Sequence, residues 1–272
     1  ILITDPIDPT ASNPLPENVE CIGDVSAPDV TVVTDEADNQ GVPVVAWVGD
    51  VSDGNTCPEV ITRTYSVTDV CGNVITVDQI ITVNDITPPT ASNPVAVNVE
   101  CIFDVPATDI TVVTDEADNC TAAPVVAWVS DVSDGNTCPE VITRTYSITD
   151  DCGNVTTVDQ IITVNDVTNP TASNPVTVNV ECIGDVPATD ILVVTDEADN
   201  CTAAPVVAWG GDVSDGLTCP ETITRTYSIT DDCGNVTTVD QWISVNDVPP
   251  PTACAPVAVT VECIGGVPAR DI

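Results

Sequence analysis

The sequence predicts an all-β protein built from tandem immunoglobulin-like β-sandwich modules that form an extended rod. Three observations lead to this prediction. A phrase ending in Val-Glu-Cys recurs about every eighty residues, at Cys21, Cys101, Cys182 and Cys263, as expected for a repeat architecture. Apolar β-branched residues alternate with polar ones in short runs, and no run has the spacing of a helix. Short proline-containing linkers separate the repeats, and proline stiffens such joints.

Within one repeat, the alternating runs predict the strands of a sandwich. In the second repeat these runs are residues 95–101, 110–112, 125–128, 142–148 and 158–164. The phrase Asp151-Cys152-Gly153-Asn154 between the last two runs is typical of a hairpin turn. Several short strands joined by such turns in about eighty residues favour a β-sandwich.

The repeat boundaries divide the chain into five segments. Residues 1–5 align with the last strand of a repeat and residues 250–272 with the beginning of one, so we expect the sequence to be part of a longer array. The predicted segments are residues 1–5, the last strand of a preceding module; residues 6–87, 88–168 and 169–249, three immunoglobulin-like modules; and residues 250–272, the incomplete start of a fourth.

Composition restricts the partners of the protein. Its 272 residues include 43 acidic side chains, four arginines and no lysine or histidine, for a net charge of −39. Since 43% of the residues are hydrophobic, the chain can still bury a core. Nucleic acids and anionic membranes require basic clusters, so neither is an expected partner, and no apolar run is long enough for direct membrane insertion. Cations are the expected small partners; alternatively, the acidic surface only keeps a secreted protein soluble.

Thirteen cysteines indicate an oxidising, extracellular location. There is no histidine and no closely spaced cysteine pair, so disulfides are favoured over zinc. If the strands alternate in direction, Cys101 and Cys138 lie at one end of the second module, and Cys120 and Cys152 lie at the other. The predicted disulfides are Cys101–Cys138, Cys120–Cys152, Cys182–Cys219, Cys201–Cys233 and Cys21–Cys57. Cys71 is expected to have no partner, and the roles of Cys254 and Cys263 stay open.

Two acidic phrases in each repeat could hold a metal ion. They are residues 115–119 and 150–154, and the predicted Cys120–Cys152 bond would bring both close to the preceding linker. Carboxylate oxygens are preferred ligands of Ca²⁺. The calcium candidates are Asp85, Asp115, Glu116, Asp118, Asp150 and Asp151. The alternative is that Asp, Asn and Gly occur here because turns require them, and no dedicated calcium-loop spacing is present.

An arginine and a tryptophan also recur at one position in each repeat. The arginines, which we expect to be structural ion-pair partners rather than ligand-reading residues, are Arg63, Arg144 and Arg225. The tryptophans, which we expect in the sandwich core, with a sugar-stacking platform as the alternative, are Trp47, Trp128 and Trp209.

Nothing in the sequence favours an enzyme. It has no histidine or lysine for acid–base work, no nucleophile elbow and no glycine-rich phosphate loop. Paired carboxylates alone can support glycoside hydrolysis, but here the same acids recur at turn positions in every repeat. We therefore predict that the protein is not an enzyme.

The phrase Ile-Thr-Arg-Thr-Tyr-Ser-Ile-Thr-Asp-Asp-Cys-Gly-Asn at residues 142–154, followed by residues 160–166, resembles HYR-type immunoglobulin-like repeats. Such repeats occur in giant cell-surface adhesins of the Bacteroidetes, including SprB-like gliding-motility adhesins. The Thr-Asp-Glu-Ala-Asp-Asn-Cys phrase ending at Cys120 matches a second motif of these repeats. The resemblance implies secretion, display on the bacterial cell surface, and a role in adhesion or in a filament. The first repeat departs from the pattern because it has no cysteine aligned with Cys120.

The near identity of the repeats favours a structural function. We predict a stalk or filament segment of a cell-surface adhesin, which spaces a binding tip from the cell or forms an extracellular fibre. Its partners would be neighbouring repeats of the same chain and other copies in a fibre. The alternative is a carbohydrate- or protein-binding module, which would predict divergence in one set of loops, whereas the differences between repeats are single and scattered.

Overall fold

The computed structural model describes residues 5–248, which form an all-β structure with three four-stranded sheets. The only helices in this range are three-residue 3-10 turns: Ile22–Asp24, Val30–Val32, Ile102–Asp104, Ile110–Val112, Ile183–Asp185 and Ile191–Val193. The strands are β1 Glu17–Val19, β2 Val44–Ser52, β3 Glu59–Thr68 and β4 Val74–Val83 in the first module; β5 Val97–Val99, β6 Val125–Ser133, β7 Glu140–Thr149 and β8 Val155–Val164 in the second; and β9 Val178–Val180, β10 Val206–Ser214, β11 Glu221–Thr230 and β12 Val236–Val245 in the third. No helix among these residues is long and apolar enough to cross a membrane.

Each module uses the same sheet topology. In the first, the strand order is β1-β4-β3-β2; β2, β3 and β4 are antiparallel neighbours, and the short β1 pairs in parallel with the end of β4. The second and third modules repeat this order. The chain divides into two compact units, Ile1–Val167 with the first two sheets and Thr168–Ile272 with the third.

Every sheet buries one face. Along β7 buried residues alternate strictly with half-buried ones, as the period of a strand requires. Tyr146, Ile148 and Val158 of the sheet pack with Val113. Val113 belongs to the covering layer, which is the largely irregular part of the module that precedes β6 and contains the 3-10 turns. A second cluster of Ile142, Ile162 and Val164 packs against Val97, Val99 and Val105. The two-layer arrangement is consistent with a β-sandwich module.

The covering layer differs from the predicted strands. Residues 110–112 were predicted to be extended but form a 3-10 turn, because the side chain of Asp109 accepts a hydrogen bond from the backbone N–H of Thr111 at 2.9 Å. Such local bonds compete with strand pairing. Only Val97–Val99 of the predicted strand 95–101 is a strand, since Cys101 begins another 3-10 turn. The runs 142–148 and 158–164 lie within β7 and β8 as predicted.

The predicted hairpin turn between β7 and β8 is confirmed. Asp150 Oδ1 accepts hydrogen bonds from the backbone N–H groups of Cys152 and Asn154, each at 2.8 Å. Gly153 has a φ of 86°, a left-handed conformation that glycine adopts without steric cost.

The prediction of a core tryptophan is wrong. Trp47, Trp128 and Trp209 are 49%, 48% and 52% exposed. Trp128 stands on β6, an edge strand, directly opposite Tyr146 and next to a bulge. Because Tyr146 lies on a central strand, its fully buried ring fills the interior that the tryptophan was expected to fill. The indole N–H of Trp128 donates to Asp131 Oδ1 at 3.0 Å.

The structural interpretation of the repeated arginine is confirmed. Arg144 is buried, and its Nε and Nη2 donate to the two carboxylate oxygens of Asp131 at 2.9 and 2.8 Å. Its Nη1 donates to the carbonyls of Pro106 and Ala107 at 2.9 and 3.3 Å. One guanidinium therefore fastens the covering layer to the edge strand. The equivalent ion pairs are Arg63–Asp50 and Arg225–Asp212.

Candidate functional site

The distal end of the first module, where the chain leaves its sheet, carries two cysteines. Val19 and Glu59 both pair with Val83, the last residue of β4. Cys21 follows β1 and Cys57 precedes β3, so both lie close to the point where β4 passes into the linker.

The proximal end of the second module, where the chain arrives, carries two more cysteines. Cys152 is in the β7–β8 hairpin turn, and Cys120 precedes the buried Thr121. The hydroxyl oxygen of Thr121 accepts a hydrogen bond from the backbone N–H of Asp151 at 3.0 Å. This contact holds the Cys120 loop against the hairpin turn.

Disulfides join these two ends. Cys21 is bonded to Cys120, with a Cα–Cα distance of 5.1 Å, and Cys57 is bonded to Cys152, with a Cα–Cα distance of 5.3 Å. The predicted pairings Cys21–Cys57 and Cys120–Cys152 are therefore wrong. Alternating strands correctly place the two cysteines of a pair at the same end of a module, but each then bonds a cysteine of the facing module.

The remaining cysteines fall into two groups. Cys101, Cys138, Cys201 and Cys233 are also disulfide-bonded. Cys71, Cys182 and Cys219 are free and exposed, so the predicted Cys182–Cys219 bond is wrong. Cys254 and Cys263 lie outside the described residues.

Hydrogen bonds cross the same junction. Glu20 Oε2, beside Cys21, accepts from Asn119 Nδ2 at 3.1 Å and from the hydroxyl of Thr87 at 2.5 Å. The backbone carbonyl of Asp85 in the linker accepts from Asn154 Nδ2 of the hairpin turn at 3.0 Å. Neither Glu20 nor Asn119 was among the candidate residues, because their contact joins positions 99 residues apart that no local pattern connects.

Three of the six calcium candidates, Asp85, Asp118 and Asp150, lie close together at this junction, and Glu116 belongs to the same loop as Asp118. Asp85 is 4% exposed and Asp150 is also buried, whereas Glu116 and Asp118 are half-buried. A carboxylate oxygen of Asp85, one of Asp118 and the Sγ of Cys120 lie within 4.8 Å of one another. Buried side-chain oxygens without a hydrogen-bond partner are Asp85 Oδ2, Glu116 Oε2 and Asp118 Oδ1.

The other two candidates do not join them. Asp115 is exposed, and its Oδ1 accepts from the backbone N–H of Ser92 at 3.0 Å. Hydrogen bonding by the side chain of Ser92, together with this backbone N–H, lowers the pKa of the Asp115 carboxyl. Asp151 is exposed as well. Asp151 lies in the β7–β8 hairpin turn, whereas Asp115 holds the backbone of Ser92, 23 residues away.

The pKa values of Asp85 and Asp118 are shifted in opposite directions. Burial raises the pKa of Asp85 above its ordinary value, and the negative charges of Asp118 and Asp150 raise it further, against the opposing effect of the Thr87 N–H. Burial also acts to raise the pKa of Asp118, but the backbone N–H groups of Thr121 and Cys120 outweigh it and lower that pKa. The junction therefore contains a carboxylate that has lost water and faces two like charges.

Comparison with known families supports the resemblance of the first module to HYR-type repeats. Residues 9–83 match the family model of a HYR-like domain with 4 cysteines. This module has three of them, Cys21, Cys57 and Cys71, and Gln40 stands where the second module has Cys120. No curated protein matches the chain. Within residues 9–83, the protein is thus similar to extracellular, adhesion-type repeat modules of the HYR-like kind.

Proposed function

We propose that this chain is a stalk segment of a bacterial cell-surface adhesin, in which successive modules are joined covalently end to end. The observation that carries the proposal is the pair of disulfides between the distal end of the first module and the proximal end of the second. A single peptide linker permits bending between modules. Two additional covalent bonds at one junction restrict bending and twisting, which a spacer needs and an independent binding domain does not.

The free cysteines support neighbouring repeats as the partners. Cys182 and Cys219 of the third module align with Cys21 and Cys57, which bond the module that follows them. Cys71 aligns with Cys152, which bonds the module that precedes it. We infer that these three thiols serve bonds of the same kind with adjoining repeats.

Dimensions and charge agree with a spacer. The ten-residue strand β4 runs along the module, so at about 3.3 Å per residue one module adds about 30 Å of reach. A net charge of −39 also repels other copies, which favours separate stalks over lateral bundles. The resemblance of the repeats to SprB-like adhesins favours an origin in the Bacteroidetes and a role in surface adhesion or gliding.

Stretching single molecules tests the stalk. The Cys21–Cys120 bond removes 99 residues from the path that carries force, so replacing Cys21 and Cys57 together by serine is expected to lengthen the fully extended chain by about 350 Å. The Cys71→Ser variant is the control and should keep the wild-type length. A gain of about one third of this size would mean that Cys21 and Cys57 bond each other, and would contradict the covalent joint.

A recognition module is the second candidate, and the exposed tryptophans favour it. The half-exposed ring of Trp128 lies beside Asp131, and Trp47 and Trp209 occupy equivalent places beside Asp50 and Asp212. An exposed aromatic ring can stack on a sugar, and a carboxylate beside it can accept hydrogen bonds from the sugar hydroxyls. Quenching of tryptophan fluorescence by soluble glycans would support recognition, provided that the effect disappears when all three tryptophans are replaced by alanine. No quenching would favour the stalk alone.

A further inference from the structure

Three separate segments of the chain bring carboxylates to one place at the proximal end of the second module. Asp85 belongs to the linker after β4, Asp118 follows the Thr90–Ala117 bridge of the covering layer, and Asp150 directly follows β7. Asp85 and Asp150 are both more than nine-tenths buried. The fold therefore holds several negative charges where water has little access.

Two oxygens of these carboxylates accept no hydrogen bond. Asp118 Oδ2 accepts from the N–H groups of Cys120 and Thr121 at 2.9 and 2.8 Å, and Asp85 Oδ1 accepts from the N–H of Thr87 at 3.0 Å. Asp85 Oδ2 and Asp118 Oδ1 are buried and have no hydrogen-bond partner. Buried charges in proteins are normally paired or bound to metals, so these two oxygens require an explanation.

No side chain in the described residues supplies the missing positive charge. The sequence contains four arginines and neither lysine nor histidine. Arg63, Arg144 and Arg225 are each bonded to an aspartate between the covering layer and the edge strand, and Arg270 lies outside residues 5–248.

The first module repeats the arrangement without a cysteine. Oxygens of Asp5, Asp38 and Asp69, which align with Asp85, Asp118 and Asp150, lie within 4.8 Å of one another. The buried oxygens without a partner are again the equivalent atoms, Asp5 Oδ2 and Asp38 Oδ1. Because Gln40 replaces the cysteine there, the acidic cluster is not a by-product of the disulfide.

We propose that each cluster is a Ca²⁺ site, with Asp85 and Asp118 as direct ligands in the second module and Asp5 and Asp38 in the first. Asp150 and Asp69 add negative charge beside the ion. Hard carboxylate oxygens from separate segments suit Ca²⁺, which accepts six to eight oxygens in irregular geometry, better than Mg²⁺, which demands an octahedron. Cys120 is excluded as a ligand, because its sulfur is committed to a disulfide and is not a thiolate.

The bound ion would tie the linker to the module that follows it. Asp85 comes from the linker, and Asp118 comes from the loop that carries Cys120. In the second module, Ca²⁺ would therefore act at the same junction as the disulfides, but through a reversible contact. In the first module it would hold the segment around Asp5 against the hairpin turn that contains Asp69.

The test is direct measurement of Ca²⁺ binding to the whole chain by isothermal titration calorimetry, after metal removal, in physiological salt with excess Mg²⁺. The Asp118→Asn variant keeps an oxygen for the N–H groups of Cys120 and Thr121 but loses the charge. It is expected to bind one Ca²⁺ fewer per chain than the wild type. Asp115→Asn, three residues away and exposed, is the matched control and should bind as many ions as the wild type.

Two binding results would overturn the proposal, as would the thermal result below. One is an equal number of bound ions in the wild type and in Asp118→Asn; the other is wild-type binding that excess Mg²⁺ abolishes, which would be general screening of an acidic surface. If Asp118→Asn does not fold, Asp85→Asn provides the same comparison. The melting temperature of the wild type should also rise in Ca²⁺ relative to chelator, and an unchanged value would contradict a buried site.

Discussion

Replacing Cys21 and Cys120 together by serine is expected to lower the free energy of unfolding of the two-module unit by about 4 kcal/mol. The bond joins residues 99 apart, and its removal gives the unfolded chain the entropy of a long open loop. Replacing both residues avoids a new unpaired thiol at Cys21 or Cys120, which could exchange with the neighbouring Cys57–Cys152 bond. Denaturant unfolding under non-reducing conditions measures the change, read as a shift of the midpoint at constant slope.

The matched control for this prediction is Cys71→Ser. Cys71 is free and exposed, so its replacement should leave the midpoint unchanged. Peptide mapping of the wild type provides the direct check on connectivity. A peptide in which Cys21 is bonded to Cys57 would contradict the junction, whatever the stability of the variants.

The second large effect is expected for Arg144→Ala, which should lower the free energy of unfolding of its module by about 3 kcal/mol. The substitution leaves the carboxylate of Asp131 and the carbonyls of Pro106 and Ala107 without their donor. Since about a third of the Asp131 side chain is exposed, water recovers part of the loss, and the effect lies at the lower end of the range for buried pairs. Thermal or denaturant unfolding measures it.

Two further variants identify the cause. Arg144→Lys keeps the charge, but a lysine cannot make the bidentate contact with Asp131 and also reach the carbonyls of the covering layer. It should therefore recover only a small part of the stability. Arg144→Ala combined with Asp131→Ala should be more stable than Arg144→Ala alone, because the unpaired carboxylate is then gone. A double variant as unstable as the single one would mean that the carbonyl contacts, and not the ion pair, carry the effect.

The strands of the sheet were predictable because their signal is local. Along β7 and β8 the alternation of side chains is sufficient to identify the buried face, and the Gly153 turn identifies the hairpin. The covering layer has the same β-branched composition, but bonds such as that from Thr111 to Asp109 turn it into 3-10 structure. Composition alone cannot separate these two outcomes.

The candidate site was predictable in its residues and not in its connections. Topology correctly gathers Cys120, Cys152 and the acidic phrases at one end of the module. The partner of each cysteine depends on whether the facing module stands close enough to compete, which no pattern within one repeat encodes. Similarly, Asp115 and Asp118 look equivalent in the sequence, but in the structure the exposed Asp115 binds the backbone of Ser92, whereas the half-buried Asp118 lies beside Asp85.

The position of the tryptophan shows that side-chain burial, too, is not predictable from the pattern of one repeat. A tryptophan on a strand of a small sandwich is a reasonable core residue, but Trp128 stands on an edge strand. The neighbouring central strand supplies Tyr146, which occupies the interior completely. Which of two aromatic residues is buried therefore depends on strand order, a property of the assembled sheet.

The two junction disulfides also interlock along the sequence, since Cys57 lies between Cys21 and Cys120, and Cys120 lies between Cys57 and Cys152. Any single cut of the backbone between residues 21 and 152 leaves at least one sulfur bridge between the fragments. A protease that nicks an exposed loop in this region therefore cannot detach one end of the chain from the other. For a protein outside the cell, continuity would then be lost only after reduction of the bonds or unfolding with multiple cuts.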